Sequence, residues 1–243
     1  MPILEGEGVT KYFGGLAAVL DVDFHVNQGE VAGLIGPNGA GKTTLFNLIS
    51  ASLVPRPGTI KFKGVNITGK KPHQICRMGI ARTFQTVKVF ANMPAFQNVL
   101  AGSFFGTAAG VSPSEATRGV TEALEFVGLS EIALTPARDL TLANQKRLEV
   151  ARALATKPEL LLLDELMAGL NAVEVSEAME LVKKIRDQGI TIVMVEHVMK
   201  AIMGVCDRIM VLHHGEKIAE GTPQEIANSE KVIEVYLGEQ VDA

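Results

Sequence analysis

The sequence predicts an α/β fold: a mixed sheet, an antiparallel β subdomain beside it, and a helical subdomain inserted between two parts of the core. Three observations carry that expectation. The runs Val31-Ala32-Gly33-Leu34-Ile35, Leu160-Leu161-Leu162-Leu163 and Ile190-Thr191-Ile192-Val193-Met194-Val195 are nearly unbroken apolar stretches, as in strands of a parallel sheet covered on both faces. Helical segments separate them, the order that builds such sheets. Near the N-terminus strict alternation appears instead, as in Val22-Asp23-Phe24-His25-Val26, which suits antiparallel strands with one wet face.

The chain has 243 residues, 47% of them hydrophobic and 21% charged. That composition is ordinary for a globular protein able to bury a full core. A net charge of -4 leaves no basic footprint, so nucleic acid is not an expected partner. Cys76 and Cys206 lack metal-ligand spacing and are expected as reduced thiols. Met1–Glu5 has no secretory pattern, and no uncharged apolar run reaches about 18 residues. A cytoplasmic location is the expectation.

In order, Gly8 to Val19 reads as strand, glycine turn, strand, with Asn27-Gln28-Gly29-Glu30 as the next turn. Phe13, an aromatic just before the Gly14-Gly15 turn, is the candidate to lie against a purine ring, with Tyr12 as its rival. After the apolar run at 31–35 comes Gly36-Pro37-Asn38-Gly39-Ala40-Gly41-Lys42-Thr43-Thr44, then an apolar helix. This matches the phosphate-binding pattern G-x-x-x-x-G-K-[ST] in its strand-loop-helix setting. Glycines let the backbone close around a polyphosphate, and its N–H groups point inward at a helix N-terminus. Lys42 is expected on the β- and γ-phosphates and the Thr43 hydroxyl on Mg²⁺. The chain is therefore expected to bind a nucleoside triphosphate through Gly36, Asn38, Gly39, Ala40, Gly41, Lys42, Thr43 and Thr44.

Thr59 to Gly64 is a short alternating strand, and His73 to Gly79 a short helix closed by glycine. Ile80 to Gln85 is expected as a strand whose last residue, Gln85, could reach the metal or the attacking water, although on spacing alone a solvated loop glutamine is the better reading. Residues 93–134 differ in texture: glycine, alanine and serine interrupt 98–112, and Glu115 to Val127 has helical apolar spacing. This is the expected helical subdomain, leaving 1–92 and 135–243 as the core. Phe90, Phe96, Phe104 and Phe105 form either an apolar partner surface or that subdomain's own core.

Leu140-Thr141-Leu142-Ala143-Asn144 precedes an expected helix from Gln145 to Thr156, ended by Pro158. The leucine strand then closes on Asp164-Glu165, at the strand end where α/β sheets place ligands. Asp164 is expected to hold Mg²⁺, directly or through water, and Glu165 to polarise the attacking water. A helix from Val173 to Gln188 follows. The next strand ends at Glu196-His197, where the histidine can donate to a γ-phosphate; a lone histidine is more often structural, so its place in the layout carries that reading. Asp207 to Glu220 reads as a hairpin through His214-Gly215, with His213 and His214 as turn residues, before a short acidic helical tail.

This ordered set resembles the nucleotide-binding subunits of ABC transporters along essentially the whole chain. Gly36–Thr44 is similar to Walker A, Gln85 to the Q-loop, Leu140–Asn144 to the signature segment and Leu160–Glu165 to Walker B. Ala168-Gly169-Leu170-Asn171 is similar to the D-loop and His197 to the switch histidine. Arg82-Thr83-Phe84-Gln85, Leu148 to Arg152, Asp207-Arg208-Ile209 and the tail with Gly221-Thr222-Pro223 and Tyr236-Leu237-Gly238 narrow the resemblance to branched-chain amino-acid importers. The resemblance implies a P-loop NTPase core with a RecA-like sheet, and ATP and Mg²⁺ as ligands. It also implies two membrane permease subunits, a second ATPase subunit (homo- or heterodimer), and an extracytoplasmic binding protein reached only indirectly. The chain would then sit on the inner face of the cell membrane. Thr141 and Ala143 would meet the nucleotide held by the other subunit. There Leu142, Ala143 and Asn144 replace the family's Gly, Gly and Gln, so a methyl at Ala143 would crowd the contact. Leu166 replaces the proline usual after the Walker B glutamate. The alternatives are a soluble ATPase of the same type, or a weakly hydrolysing nucleotide-dependent assembly module.

Overall fold

The computed structural model describes residues 1–106 and 112–238. Residues 107–111 of the glycine- and alanine-rich stretch and the end of the acidic tail, 239–243, lie outside the described residues. β1 (Pro2–Phe13) turns at Gly14-Gly15 into β2 (Leu16–Asn27). β1 also pairs antiparallel with β4 (Thr59–Phe62), which carries the short β5 (Val65–Asn66), so the subdomain sheet runs β2-β1-β4-β5.

The larger sheet is built on β3 (Val31–Ile35), flanked by β8 (Thr191–Val195) and β9 (Arg208–His213). β7 (Leu160–Asp164) and β6 (Ile80–Arg82) extend one side, and β10 (Glu216–Gly221) closes the other. The order is β10-β9-β3-β8-β7-β6, parallel throughout except for β10. Because side chains alternate along a strand, the leucine run serves two cores. Leu160 and Leu162 join Leu34, Val193 and Val195 under helix α1 (Lys42–Ile49) and the antiparallel sheet. Leu161 and Leu163 join Ile192 and Met194 against the helices of the other face. Burial of each such side chain contributes about 1.5–3 kcal/mol.

The helices on the far side are α3 (Ala95–Ser103), α4 (Pro113–Phe126), α5 (Leu142–Leu154) and α6 (Ala172–Asp187). The short α2 (Pro72–Met78) precedes β6, and α7 (Met199–Val205), α8 (Pro223–Ala227) and α9 (Glu230–Gly238) complete the described residues. α3 and α4 pack on α5 as well as on each other. Ala95 and Val99 of α3 share one continuous core with Leu161 and Leu163 of the sheet, so the helical segment has no separate interior.

Four expectations shift. β6 stops at Arg82 rather than at Gln85, because parallel pairing with β7 ends at Arg82 and Leu162, and Gln85 lies in the loop beyond. α5 begins at Leu142, with Thr141 as its N-cap, so Ala143 and Asn144 are helical. The glycine at 102 does not interrupt α3; a Cβ there would lie 2.5 Å from Arg152 O, so glycine is what lets α3 and α5 touch. The phenylalanines divide: Phe96 packs on the core, whereas Phe90, Phe104 and Phe105 are exposed.

Candidate active site

The glycine loop joins β3 to α1, and close backbone approach dictates its composition. Gly36 has φ 149 and Gly41 φ 101, conformations that L side chains avoid. A Cβ on Gly36 would lie 2.1 Å from Leu212 O, and one on Gly41 2.3 Å from Ala18 O. The loop is braced from outside: Gly215 N donates to Ala40 O at 3.0 Å and Leu20 N to Gly215 O at 2.8 Å. The turn at Gly215 is thus part of the site's scaffold, a role for which the sequence carries no signal beyond the glycine. Lys42 Nζ donates to Gly36 O at 2.6 Å and Pro37 O at 2.7 Å.

An open cavity of about 300 Å³ lies over the loop, lined by residues 38–44, Ala18, Gln85, Glu165 and His197. Two groups from two separate loops meet on the Glu165 carboxylate. Gln85 Nε2 donates to Glu165 Oε2 at 2.8 Å, and His197 Nε2 lies 2.9 Å from Glu165 Oε1. Glu165 sits just past the end of β7 with φ 50, a left-handed backbone in a residue that rarely adopts it. Strain of this kind persists only where the surroundings impose it, and it gathers at functional sites. Here Glu165 N donates to Val195 O at 2.9 Å, which ties the turn to β8.

Asp164 is placed differently from its neighbour. It is buried, and its Oδ2 accepts from Arg82 at 2.7 Å. The same guanidinium donates to Asn47 Oδ1 on α1 and to Ser50 Oγ at its C-cap, both at 2.7 Å, and lies against the rings of Phe46 and Phe84. Arg82 therefore joins the aspartate to the helix that follows the loop. Phe13 and Tyr12 stand at the tip of the β1–β2 hairpin, outside the cavity lining; Phe13 is 51% exposed. Thr141 Oγ1 accepts from Asn144 N at 3.3 Å, capping α5. In this segment the methyl of Ala143 is turned inward (8% exposed), while Leu142 stands out at 45%. Leu142 is thus the side chain that this first turn presents to solvent, because the helix begins earlier than its composition suggests.

Buried charges missed in the sequence surround this centre. Lys146 Nζ donates to Glu165 O at 2.8 Å. Glu196 accepts from Met167 N at 2.8 Å, and burial pushes its carboxyl up to about 7. Glu149 accepts from Lys88 N at 2.8 Å, and burial raises its carboxyl too. Each reads in the sequence as an ordinary helix or loop charge, because burial is decided by neighbours distant along the chain.

A loop cradling an anion site, with an acid, an amide and an imidazole converging above it, is a nucleotide-hydrolysing arrangement. The family model described as ABC transporter matches residues 19–168. The chain belongs to the ATP-binding cassettes of ABC transporters. A second model, branched-chain amino acid ATP-binding cassette transporter, matches residues 216–242 of this cassette. The cassette is 41% identical to the high-affinity branched-chain amino acid transport ATP-binding protein BraF of Pseudomonas aeruginosa, over 98% of both chains. It is 42% identical to LivG of Escherichia coli K12, again over 98% of both. Among solved structures it resembles the ADP conformation of an ABC transporter ATP-binding cassette (TM-score 0.88, 32% identity, 98% of this chain and 99% of that one). It also resembles a dimeric post-hydrolysis cassette bound to ADP and Pi (TM-score 0.81, 26% identity, 90% and 98%). The cassette is a nucleotide-binding ATPase subunit. No helix among the described residues is long and apolar enough to cross a membrane.

Proposed function

We propose that this cassette powers the import of branched-chain amino acids, working with a second ATPase subunit against two membrane permease subunits at the inner membrane face. The observation that carries the substrate class is the full-length likeness to transport proteins so named, with the matching C-terminal model. The same likeness favours a transporter subunit over a free ATPase or an assembly module.

In this reading the loop amides and Lys42 bind the triphosphate, the ammonium exchanging its carbonyl partners for phosphate oxygens. Glu165 takes a proton from the attacking water as general base. Gln85 and His197 hold that carboxylate from either side, and His197 donates to the γ-phosphate as charge develops. Among the described residues no group of three or more His, Cys, Asp or Glu forms a metal cage. Thr43, Gln85 and Asp164 are hard oxygen donors, the kind that share Mg²⁺ with substrate phosphates. The residues therefore fit Mg²⁺, which when bound would neutralise phosphate charge; Asp164 would act directly or through water while Arg82 orients it. Thr141 and the first turn of α5 would complete the site of the partner subunit, and Phe13 or Tyr12 would stack on adenine.

The permease would seat in a groove of about 450 Å³ beside the Gln85 loop, lined by Phe84, Phe90, Phe105, Lys88 and Arg152. Lys88 Nζ stands 4.4 Å from the Phe84 ring centre and Arg152 lies over Phe90. An apolar helix bearing an acidic residue suits such a lining. The test is uptake of labelled leucine into vesicles holding the purified permeases, binding protein and this cassette. ATP-driven uptake that Glu165→Gln abolishes is expected. ATP hydrolysis with no uptake of any branched-chain amino acid would overturn the assignment.

A further inference from the structure

Lys146 has no part in the chemistry described above. It lies one turn into α5 and is 5% exposed. An ammonium in such a place costs desolvation energy unless it is fully engaged. It donates to the main-chain carbonyl of Glu165, at 2.8 Å. Glu196, Glu149 and Glu165 supply the compensating negative charge around it.

That carbonyl belongs to the non-glycine residue of the site with a left-handed backbone, φ 50. The amide side of Glu165 is held by Val195 O at 2.9 Å; on the carbonyl side the other donor, Ala168 N, is distant at 3.3 Å. A charged donor at 2.8 Å is therefore the strong restraint on the following peptide. Without it the peptide is freer to relax toward a right-handed conformation, and the carboxylate would swing away from Gln85 and His197. We propose that Lys146 is a positioning residue: its ammonium, delivered by the signature helix α5, locks the Glu165 main chain so that the carboxylate meets the attacking water. The proposal rests on Glu165 being the general base. It also means that the first turn of α5, Leu142 to Gln145, and the glutamate of the same chain move as one body.

The test uses the full chain with Lys146→Met, and with K146M/E196Q, which also removes the Glu196 charge left facing the methionine, while Glu149 keeps Arg152 and Lys88 N as partners. The amide oxygen introduced by Glu196→Gln would keep an acceptor for Met167 N. Hydrolysis kinetics, thermal unfolding and the ring-nitrogen resonances of His197 in nucleotide-free protein are read for each, beside Glu165→Gln and Glu165→Ala. Misplacing a catalytic group by an ångström costs about 100-fold, so kcat should fall roughly 10- to 100-fold while KM for ATP stays within about twofold. The His197 resonances should move toward their positions in Glu165→Ala. A merely structural lysine would lower the unfolding temperature and leave the His197 signals and kcat of the folded protein alone. A folded double variant with native kcat and native His197 signals, beside an inactive Glu165→Gln, overturns the role of Lys146 and spares the base. If Glu165→Gln still turns over, the base assignment falls. The His197 signals then decide the positioning link alone: movement supports it and constancy overturns it.

Discussion

Gly41 and Glu196 show two ways in which one residue carries the site. A methyl at Gly41 would meet the carbonyl of Ala18 at 2.3 Å, and its φ of 101 is unfavourable to any other residue. Gly41→Ala should therefore lose ATP binding, measured by titration with a fluorescent nucleotide, while the sheet behind it still folds. For Glu196 the sign follows from protonation. Its carboxyl titrates near 7 in the folded chain, against 4.5 for an unperturbed glutamate. Between those values the unfolded chain has released a proton that the folded one retains, so stability falls as pH rises from about 4.5 to about 7. Glu196→Gln should flatten that decline in unfolding temperature; an equally steep decline would place the titration elsewhere. The residues legible in the sequence are those whose chemistry is carried by type and spacing, the glycine loop and Asp164-Glu165; His197 is legible only through its place in the ordered layout. Arg82 and Lys146 are illegible there, since their partners lie 82 and 19 positions away.

At the scale of elements, α5 holds the clearest lesson. Its composition places the helix start at Gln145, yet Thr141 is the cap and Leu142-Ala143-Asn144 form the first turn. Thr141 followed by a helix-forming turn is itself an N-cap signal; the likeness of 140–144 to a loop motif obscures it. Restoring Gly-Gly-Gln at 142–144 should raise turnover by removing the exposed leucine. It should also lower stability, by up to about 1 kcal/mol per glycine. Turnover and thermal unfolding of the one variant read both effects, and unchanged turnover would mean that Leu142 does not crowd the contact. α3 is hidden for a related reason. A glycine in a helix reads as a breaker, whereas Gly102 is where another helix comes close.

For the whole molecule, the leucine strand β7 divides two cores, and both depend on it. Leu161→Ala and Leu162→Ala should each cost about 2–5 kcal/mol in denaturant unfolding, on opposite faces of one strand. The cavity over the loop is open, and the segment expected to complete it, Thr141 to Ala143, does not line it. Specific activity should therefore rise with protein concentration as subunits pair, and a flat dependence would mean that one subunit suffices.

Periodicity and motif spacing determined, without the structure, a mixed α/β sheet, an antiparallel β subdomain, a phosphate loop and an acid pair at a strand end. These are local properties, set by side-chain type along a few consecutive residues. Tertiary structure alone decided which charges are buried, which helix touches the glutamate, and which side chain of the signature turn faces out. Desolvation and hydrogen bonding act between residues far apart in the chain, and no local pattern records who those neighbours are. The loop at 36–44 is written in the sequence; the strained, doubly held carboxylate above it exists only in the fold.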